Sequence, residues 1–285
     1  MHPFTIDLED WYHGIELPLN AWAGKEDRLH KGMDAILELL NKSNTKCTFF
    51  ILGWIGERYP KLIQQLAKEG HEIASHGYSH EKVYNLNPNS FRDETKKTKD
   101  ILENISGQTV RGFRAPFFSI NSKSLWALEV LKECGFEYDC SISPVKTWRY
   151  GISGCPEKIF EIKELSILEF PVTTFQLLGK KFNVGGAYFR IFPYYFFNKT
   201  YKNNSKINQP TMFYAHPWEY DSKHPVIDFE FKAKLTHYHN LSGMYKRTER
   251  LLNSFSFTTV WNVLQRERAD GRITAESLDV LKELV

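Results

Sequence analysis

Short β-rich runs alternate with helical patterns through the first two-thirds of the chain, and this alternation limits the fold more than any other feature. Strands separated by helices pair most simply in parallel, with the helices packed outside the sheet. Phe4 to Leu8 reads as the first strand, and Met33, Ile36, Leu37 and Leu40 then share one helical face. Cys47 to Leu52 reads as a strand, followed by a helix carrying Ile63, Leu66 and Ala67 and stopped by Gly70. His71 to Ser75 gives a third strand. Asn89 or Ser90 can cap a long charged helix reaching about Ile105 and closed by Gly107. Arg111 to Arg114 is the next strand, and Ser122 caps a helix with Leu125, Leu128 and Leu131 that ends at Gly135. Tyr138 to Ile142 is the strand after it.

Regularity weakens from there. Residues 143–165 read as a long surface excursion, of a kind that is often functional in compact domains. Strand signals return at Ile167 to Thr173 and Thr211 to Ala215, with an aromatic helix-like segment near 193–202 between them. Helices near 243–254, 259–268 and 274–284 and a short strand at Phe255 to Thr258 complete the chain. With no repeat, low-complexity segment or linker in view, residues 1–285 read as one domain, with a core over about 3–220 and an extension over about 221–285. The α/β units close most simply into a barrel, whose chemistry gathers at the carboxyl ends of the strands.

Composition removes several classes of function. The formal net charge is +3, which asks for neither nucleic acid nor an anionic membrane as partner. No apolar run is long enough to span a bilayer, and Met1 to Asp7 does not resemble a secretory signal. Cys47, Cys134, Cys140 and Cys155 show no CxxC spacing and read as reduced thiols, so the expected compartment is the cytoplasm. Aromatic residues make up 15% of the chain. Most must serve packing, but Phe117, Phe118, Tyr188 and Trp218 stand beside polar residues in loops and can line a saccharide cleft.

The chemistry-bearing residues fall at strand ends. Asp7, Glu9 and Asp10 follow one another closely, and such carboxylates repel unless a cation or proton intervenes. Strand alternation places Asp7 and Glu9 on one side. Alone, the run is equally a solvated acidic turn. His76 and His80 flank a turn after the third strand and can converge on one ion, and neutral imidazole is a common zinc ligand. Two histidines with one carboxylate leave positions open for water and substrate. Arg114 can grip a carboxylate in bidentate fashion. Asp139 ends another strand. His216 follows the β run Met212 to Ala215; alone it reads as a structural histidine, but at a strand end it is a general-acid candidate.

In order, Thr5-Ile6-Asp7, Gly70 to His80 with its Ser75-His76-Gly77-Tyr78-Ser79-His80 ending, Arg114-Ala115-Pro116, Asp139 to Ile142 and His216 resemble the polysaccharide deacetylases, carbohydrate esterase family 4. Val184 to Arg190 and Trp218 to Asp221 are similar to a bacterial subgroup associated with exopolysaccharide assembly. The resemblance implies a distorted (β/α) barrel of about seven parallel strands. It also implies one divalent metal ion, usually zinc, and removal of acetyl groups from N-acetylated sugars. It casts Asp7 as general base on the attacking water, His76 and His80 as metal ligands and Arg114 as the group orienting Asp7. Asp139 would support that network, and His216 would protonate the leaving amine. The family motif has two adjacent aspartates, the second of which binds metal; Leu8 stands in that place and cannot ligate, so Glu9 or Asp10 must serve. Two other readings stay open: hydrolysis of another non-peptide C–N bond on the same fold, and a catalytically silent carbohydrate-binding module. The sequence names neither the sugar nor the oligomeric state.

Overall fold

The computed structural model describes residues 1–15, 17–145, 147, 149–227 and 231–284, with backbone only at 231–233. Its strands are β1 His2–Leu8, β2 Thr48–Ile51, β3 Glu72–Ser75, β4 Gly112–Phe113, β5 Tyr138–Asp139, β6 Phe160–Ile162, β7 Ile167–Glu169, β8 Thr174–Leu177, β9 Lys180–Asn183, β10 Phe213–Ala215, β11 Phe257–Thr258 and β12 Thr274–Glu276. The α-helices are α1 Leu29–Lys42, α2 Gly53–Arg58, α3 Pro60–Lys68, α4 Pro88–Ser106, α5 Trp126–Glu133, α6 Gly186–Ile191, α7 Tyr194–Lys206, α8 Phe231–Tyr238, α9 Met244–Ser254, α10 Val260–Ala269 and α11 Leu278–Glu283.

β10, β1, β2, β3, β4, β5 and β7 run parallel in unbroken neighbour order, the expected seven strands. β6 then adds antiparallel to β7, β12 adds parallel to β6, and β11 pairs with the start of β1. Both faces of these strands are covered, as a parallel sheet requires. Along β2, Phe49 and Ile51 join the large cluster formed with the helices. Phe50 joins the inner one with Ala74, Tyr138, Cys140, Leu168 and Met212. The sheet is rolled. Arg114, just past β4, holds Asp7 of β1 at 2.5 Å, although three strand spacings would separate them by about 14 Å in a flat sheet.

The roll does not close by a strand ladder. Among the described residues no pairing joins β12 to β10; instead the gap is spanned at the carboxyl rim. Val184 N donates to Thr173 O at 2.8 Å, and Gly185 makes a single parallel bridge to Tyr214. Only glycine allows this approach, because a Cβ at Gly185 would stand 2.4 Å from Tyr214 O. The β8–β9 hairpin that leads into this bridge is a separate two-stranded sheet, and the run from 167 to 173 is correspondingly a strand only over Ile167–Glu169.

Local chemistry moved other boundaries. Asn87, not Asn89 or Ser90, caps α4: its side chain accepts from Asn89 N and Ser90 N, with Pro88 at the first helical position. Ser122 lies in a turn ahead of α5, where Ser124 ties to Ser119 O and Asn121 N. Residues 274–284 divide into β12 and α11 because β6 offers a strand edge to Thr274–Glu276 and Ser277 caps α11. The excursion at 143–165 contains β6, while its residues 146 and 148 lie outside the described residues. The four cysteines are free thiols.

α1 packs against the turn after β10, and Gly32 is the point of closest approach: a Cβ there would sit 2.0 Å from Pro217 O. Gly32→Ala should therefore destabilise the fold by about 1–3 kcal/mol despite alanine's better helix propensity. Urea denaturation at pH 7 checks this; unchanged or increased stability would show that the turn gives way.

Candidate active site

β1 delivers Asp7 and, just beyond it, Glu9 to the inner side of the carboxyl rim, while the intervening Leu8 is wholly buried in the outer core. Alternation along one strand thus explains why an apolar residue can separate two site carboxylates. His76 and His80 come from the loop after β3. This loop is not helical: Gly77 and His80 both have positive φ, and Ser79 Oγ anchors to the Glu94 carboxylate at 2.8 and 3.0 Å. The two imidazoles reach one atom. Glu9 Oε1 is 3.1 Å from His76 Nε2 and 2.9 Å from His80 Nε2.

The donor set discloses what belongs there. His76 Nδ1 donates to Arg114 O at 2.8 Å, so in the neutral ring Nε2 carries a lone pair aimed at Glu9. A lone pair facing a carboxylate oxygen calls for a proton or a cation between them. Glu9, His76 and His80 present ligand atoms within 4.8 Å of one another, all buried, a set suited to a divalent ion with open positions. Burial alone would raise the pKa of Glu9, but the neighbouring His80, His216 and His76 hold it well below the usual carboxylate range.

Asp10 sits elsewhere. Its Oδ1 accepts from Trp11 N, and its Oδ2 accepts from Arg28 N and Leu29 N at the start of α1, where a carboxylate opposes the helix dipole. It is absent from the two clusters of ligand atoms found among the described residues.

Arg114 is fully buried. Nη1 donates to Asp7 Oδ1 at 2.5 Å and to Thr5 Oγ1 at 2.9 Å, and its guanidinium lies 4.0 Å over the Phe50 ring. This leaves Asp7 Oδ2 facing His216 Nε2 at 3.8 Å, too long for a hydrogen bond and open to a bridging group. On its other side His216 Nδ1 lies 3.0 Å from Glu219 Oε2, and Glu219 Oε1 accepts from Arg190 Nε at 2.6 Å. Burial alone would lower His216, but Glu9, Glu219 and Asp7 bring it up to about 9. Burial alone would raise Glu219, but Arg190 and His216 bring it down to about 2. Trp218 stacks on His216, with centroids 5.2 Å apart and an interplanar angle of 17°. A protonated His216 repels a cation, which favours the Glu9–His76–His80 group over the second candidate group, Asp7–Glu9–His216.

The structure therefore brings together Asp7, Glu9, His76, His80, Arg114 and His216. Phe117 packs beside His80 with centroids 4.6 Å apart, and it and Phe118 both hold left-handed φ, of 56° and 52°. Backbone strain of this kind gathers at functional sites. Phe118 itself is buried against Tyr214 and Val172. Tyr188 joins a rim group, its hydroxyl 3.3 Å from that of Tyr150. Asp139 lies behind the site: it alternates with Tyr138 and Cys140 of the inner cluster and faces the outer layer, where Ser141 donates to both its oxygens and accepts from Ala115 N, next to Arg114. Glu219 and Arg190 belong to the site and carry no chemical signature of their own in the sequence. Two signals were available: both residues fall in the subgroup-like segments Val184 to Arg190 and Trp218 to Asp221, and Glu219 stands three residues beyond His216 across Pro217, which one helical turn makes a contact.

Residues 25–138 match the family described as "Polysaccharide deacetylase", and residues 140–265 match "Domain of unknown function (DUF3473)". Over 95 residues the chain is 37% identical to the peptidoglycan-N-acetylglucosamine deacetylase of Bacillus cereus, covering 33% of this chain and 34% of that one. Over 88 residues it is 34% identical to the peptidoglycan-N-acetylmuramic acid deacetylase of Bacillus subtilis, covering 31% and 19%. The chain spans less than half the length of the curated relatives it matches. A crystal structure assigned as a polysaccharide deacetylase from Mycobacterium smegmatis superposes with a TM-score of 0.64 at 19% identity, covering 96% of this chain and 92% of that one, and shares the fold. The fold is the α/β arrangement of that structure. Residues 25–138 carry the match to the polysaccharide deacetylase family, and the region matching DUF3473 completes the same sheet through β6, β7, β10 and β11.

Because His216 has a folded pKa above its ordinary 6.5, the stability contributed by its charged form is complete below pH 6.5 and is lost as pH rises through about 9. NMR titration of the metal-free protein should find this ring titrating near 9, and Glu219→Gln should move it back toward 6.5. An unchanged titration in the variant would remove Glu219 from the relay.

Proposed function

We propose that the protein is a metal-dependent hydrolase that removes acetyl groups from N-acetylated sugars of a polysaccharide or glycan precursor. The observation that carries this reading is the convergence of His76 and His80 on one oxygen of Glu9, with Asp7 and His216 facing each other beside it. The names of the relatives, deacetylases of N-acetylglucosamine and N-acetylmuramic acid residues, point to the same class of substrate. Glu9, His76 and His80 would hold the ion, with zinc suited to two imidazoles and a carboxylate. When bound, a divalent cation supplies Lewis-acid polarisation of the acetyl carbonyl and acidifies a coordinated water.

The chain's own residues handle the protons. Asp7, with one oxygen fixed by Arg114, uses the other to take a proton from the attacking water. Charged His216, its Nδ1–H donated to Glu219, gives its Nε2 proton to the departing nitrogen as the C–N bond breaks. Acetate and a free amine result. A backbone amide near Phe117, on the strained rim turn, would donate to the developing oxyanion, and Phe117 and Trp218 would flank the sugar. Cation binding at Glu9 offsets that residue's pull on His216, so in the loaded enzyme the alkaline limb of the rate should fall below pH 9. The two matched regions act as one unit in this reading, since each contributes to the site.

Acetate release from a panel of N-acetylated saccharides and sugar nucleotides tests the proposal. Zinc-loaded wild type should release acetate, and His76→Ala with His80→Ala should lose both zinc and activity. Asp7→Asn should keep zinc but lose about 10²–10⁴-fold in kcat. Zinc bound with no acetate released from any substrate would redirect the assignment to another C–N bond, and neither zinc nor acetate would favour a binding module.

A further inference from the structure

Glu169 has no part in the site described above, yet it is wholly buried beside a second buried carboxyl group, Asp139, its in-register partner on the neighbouring strand. Two touching carboxylates cannot both ionise away from water, so the pair holds a proton. The hydrogen bonds place it. Asp139 Oδ1 accepts from Ser141 Oγ at 2.6 Å and Oδ2 from Ser141 N at 3.1 Å. Glu169 Oε1 accepts from Ile142 N at 3.0 Å, while Oε2 is buried and meets no donor. A proton on Glu169 Oε2 gives that atom its missing partner in Asp139. Ser141, having given its O–H to Asp139, accepts from Ala115 N at 2.7 Å. Ala115 follows Arg114, whose carbonyl fixes the His76 tautomer and whose guanidinium holds Asp7.

We propose that Glu169 is a positioning residue: its carboxylic O–H, donated to Asp139, keeps that group an ionised acceptor for Ser141, whose Oγ in turn accepts from Ala115 N, and this network converging on Asp139 holds the Arg114 turn, and with it His76 and Asp7. The catalytic consequence rests on the deacetylase reading; the protonation and the hold on His76 do not. The charged and titratable groups facing Glu169 are Asp139, Arg114, Cys140 and Cys155. Burial first, and Asp139 next, push Glu169 well above the ordinary carboxyl range. A raised carboxyl binds its proton more tightly in the folded state, so stability falls as pH climbs above 4.5.

The test compares Glu169→Gln, which keeps a neutral donor, with Glu169→Met, which keeps the bulk without it, in the full chain. Between pH 5 and 7 the wild-type folding equilibrium constant should carry a decline of up to about tenfold per pH unit that Glu169→Gln removes. In long-range ¹H–¹⁵N spectra of the metal-free protein, His76 should show the Nδ1–H tautomer in wild type and in Glu169→Gln, and a mixture in Glu169→Met and in Ser141→Ala. With acetylated substrate, kcat should fall about tenfold in Glu169→Met at little-changed KM, recover in Glu169→Gln, and fall no further when Ser141→Ala is added. An unaltered pH dependence in Glu169→Gln would overturn the shared proton. A wild-type His76 signature in a folded Glu169→Met would overturn the positioning role. Wild type inactive on every substrate would dispose of the deacetylase reading while the spectra and the pH dependence still decide this one.

Discussion

The site depends on one buried charge. Arg114 lies wholly buried inside a rolled sheet, and a guanidinium in that position must be met by an anion and further acceptors. Asp7 supplies the anion from across the barrel and Thr5 an acceptor, while the Phe50 ring covers one face. Removing either ion would leave the other uncompensated, at a cost of about 3–5 kcal/mol. The same residue's carbonyl orients His76. One position thus sets the aim of the proposed base and of a proposed ligand, which makes the rigidity of its turn a functional matter.

A second buried ion pair does the corresponding work on the acid side. Arg190 and Glu219 are both without solvent exposure, and Arg190 also donates to the carbonyls of Thr236 and His239. Arg28 and Asp221 tie the loop after β1 to the turn after His216. The two halves of the proposed proton transfer are therefore held by different ion pairs, Arg114–Asp7 and Arg190–Glu219, and they face each other across the 3.8 Å between Asp7 and His216.

Much of this was legible in the sequence because local patterns carried it. The β/α alternation gave the parallel order, and two histidines four apart after a strand gave a candidate ligand pair. Strand alternation put Asp7 and Glu9 on one side of Leu8. What could not be read depended on contacts between distant segments. Asp10 is taken up by the amides of α1, eighteen residues on, and no local pattern announces this. The resemblance gave Asp139 a supporting role, but the face of its side chain is set by register with neighbouring strands, and its pairing with Glu169 could not be read locally. The incomplete barrel closure likewise rests on a single glycine bridge, between Gly185 and Tyr214. Helix caps failed for a smaller reason: Asn87-Pro88 is the stronger start, and the expectation fell on the polar residues after it.

The account turns on Glu9 filling the place that Leu8 cannot. Zinc-edge anomalous diffraction from crystals of the zinc-loaded protein would settle it most directly. The prediction is one strong peak about 2.0–2.2 Å from Glu9 Oε1, His76 Nε2 and His80 Nε2, and none at Asp10. A peak coordinated by Asp10, or stoichiometric zinc bound away from both histidines, would contradict it.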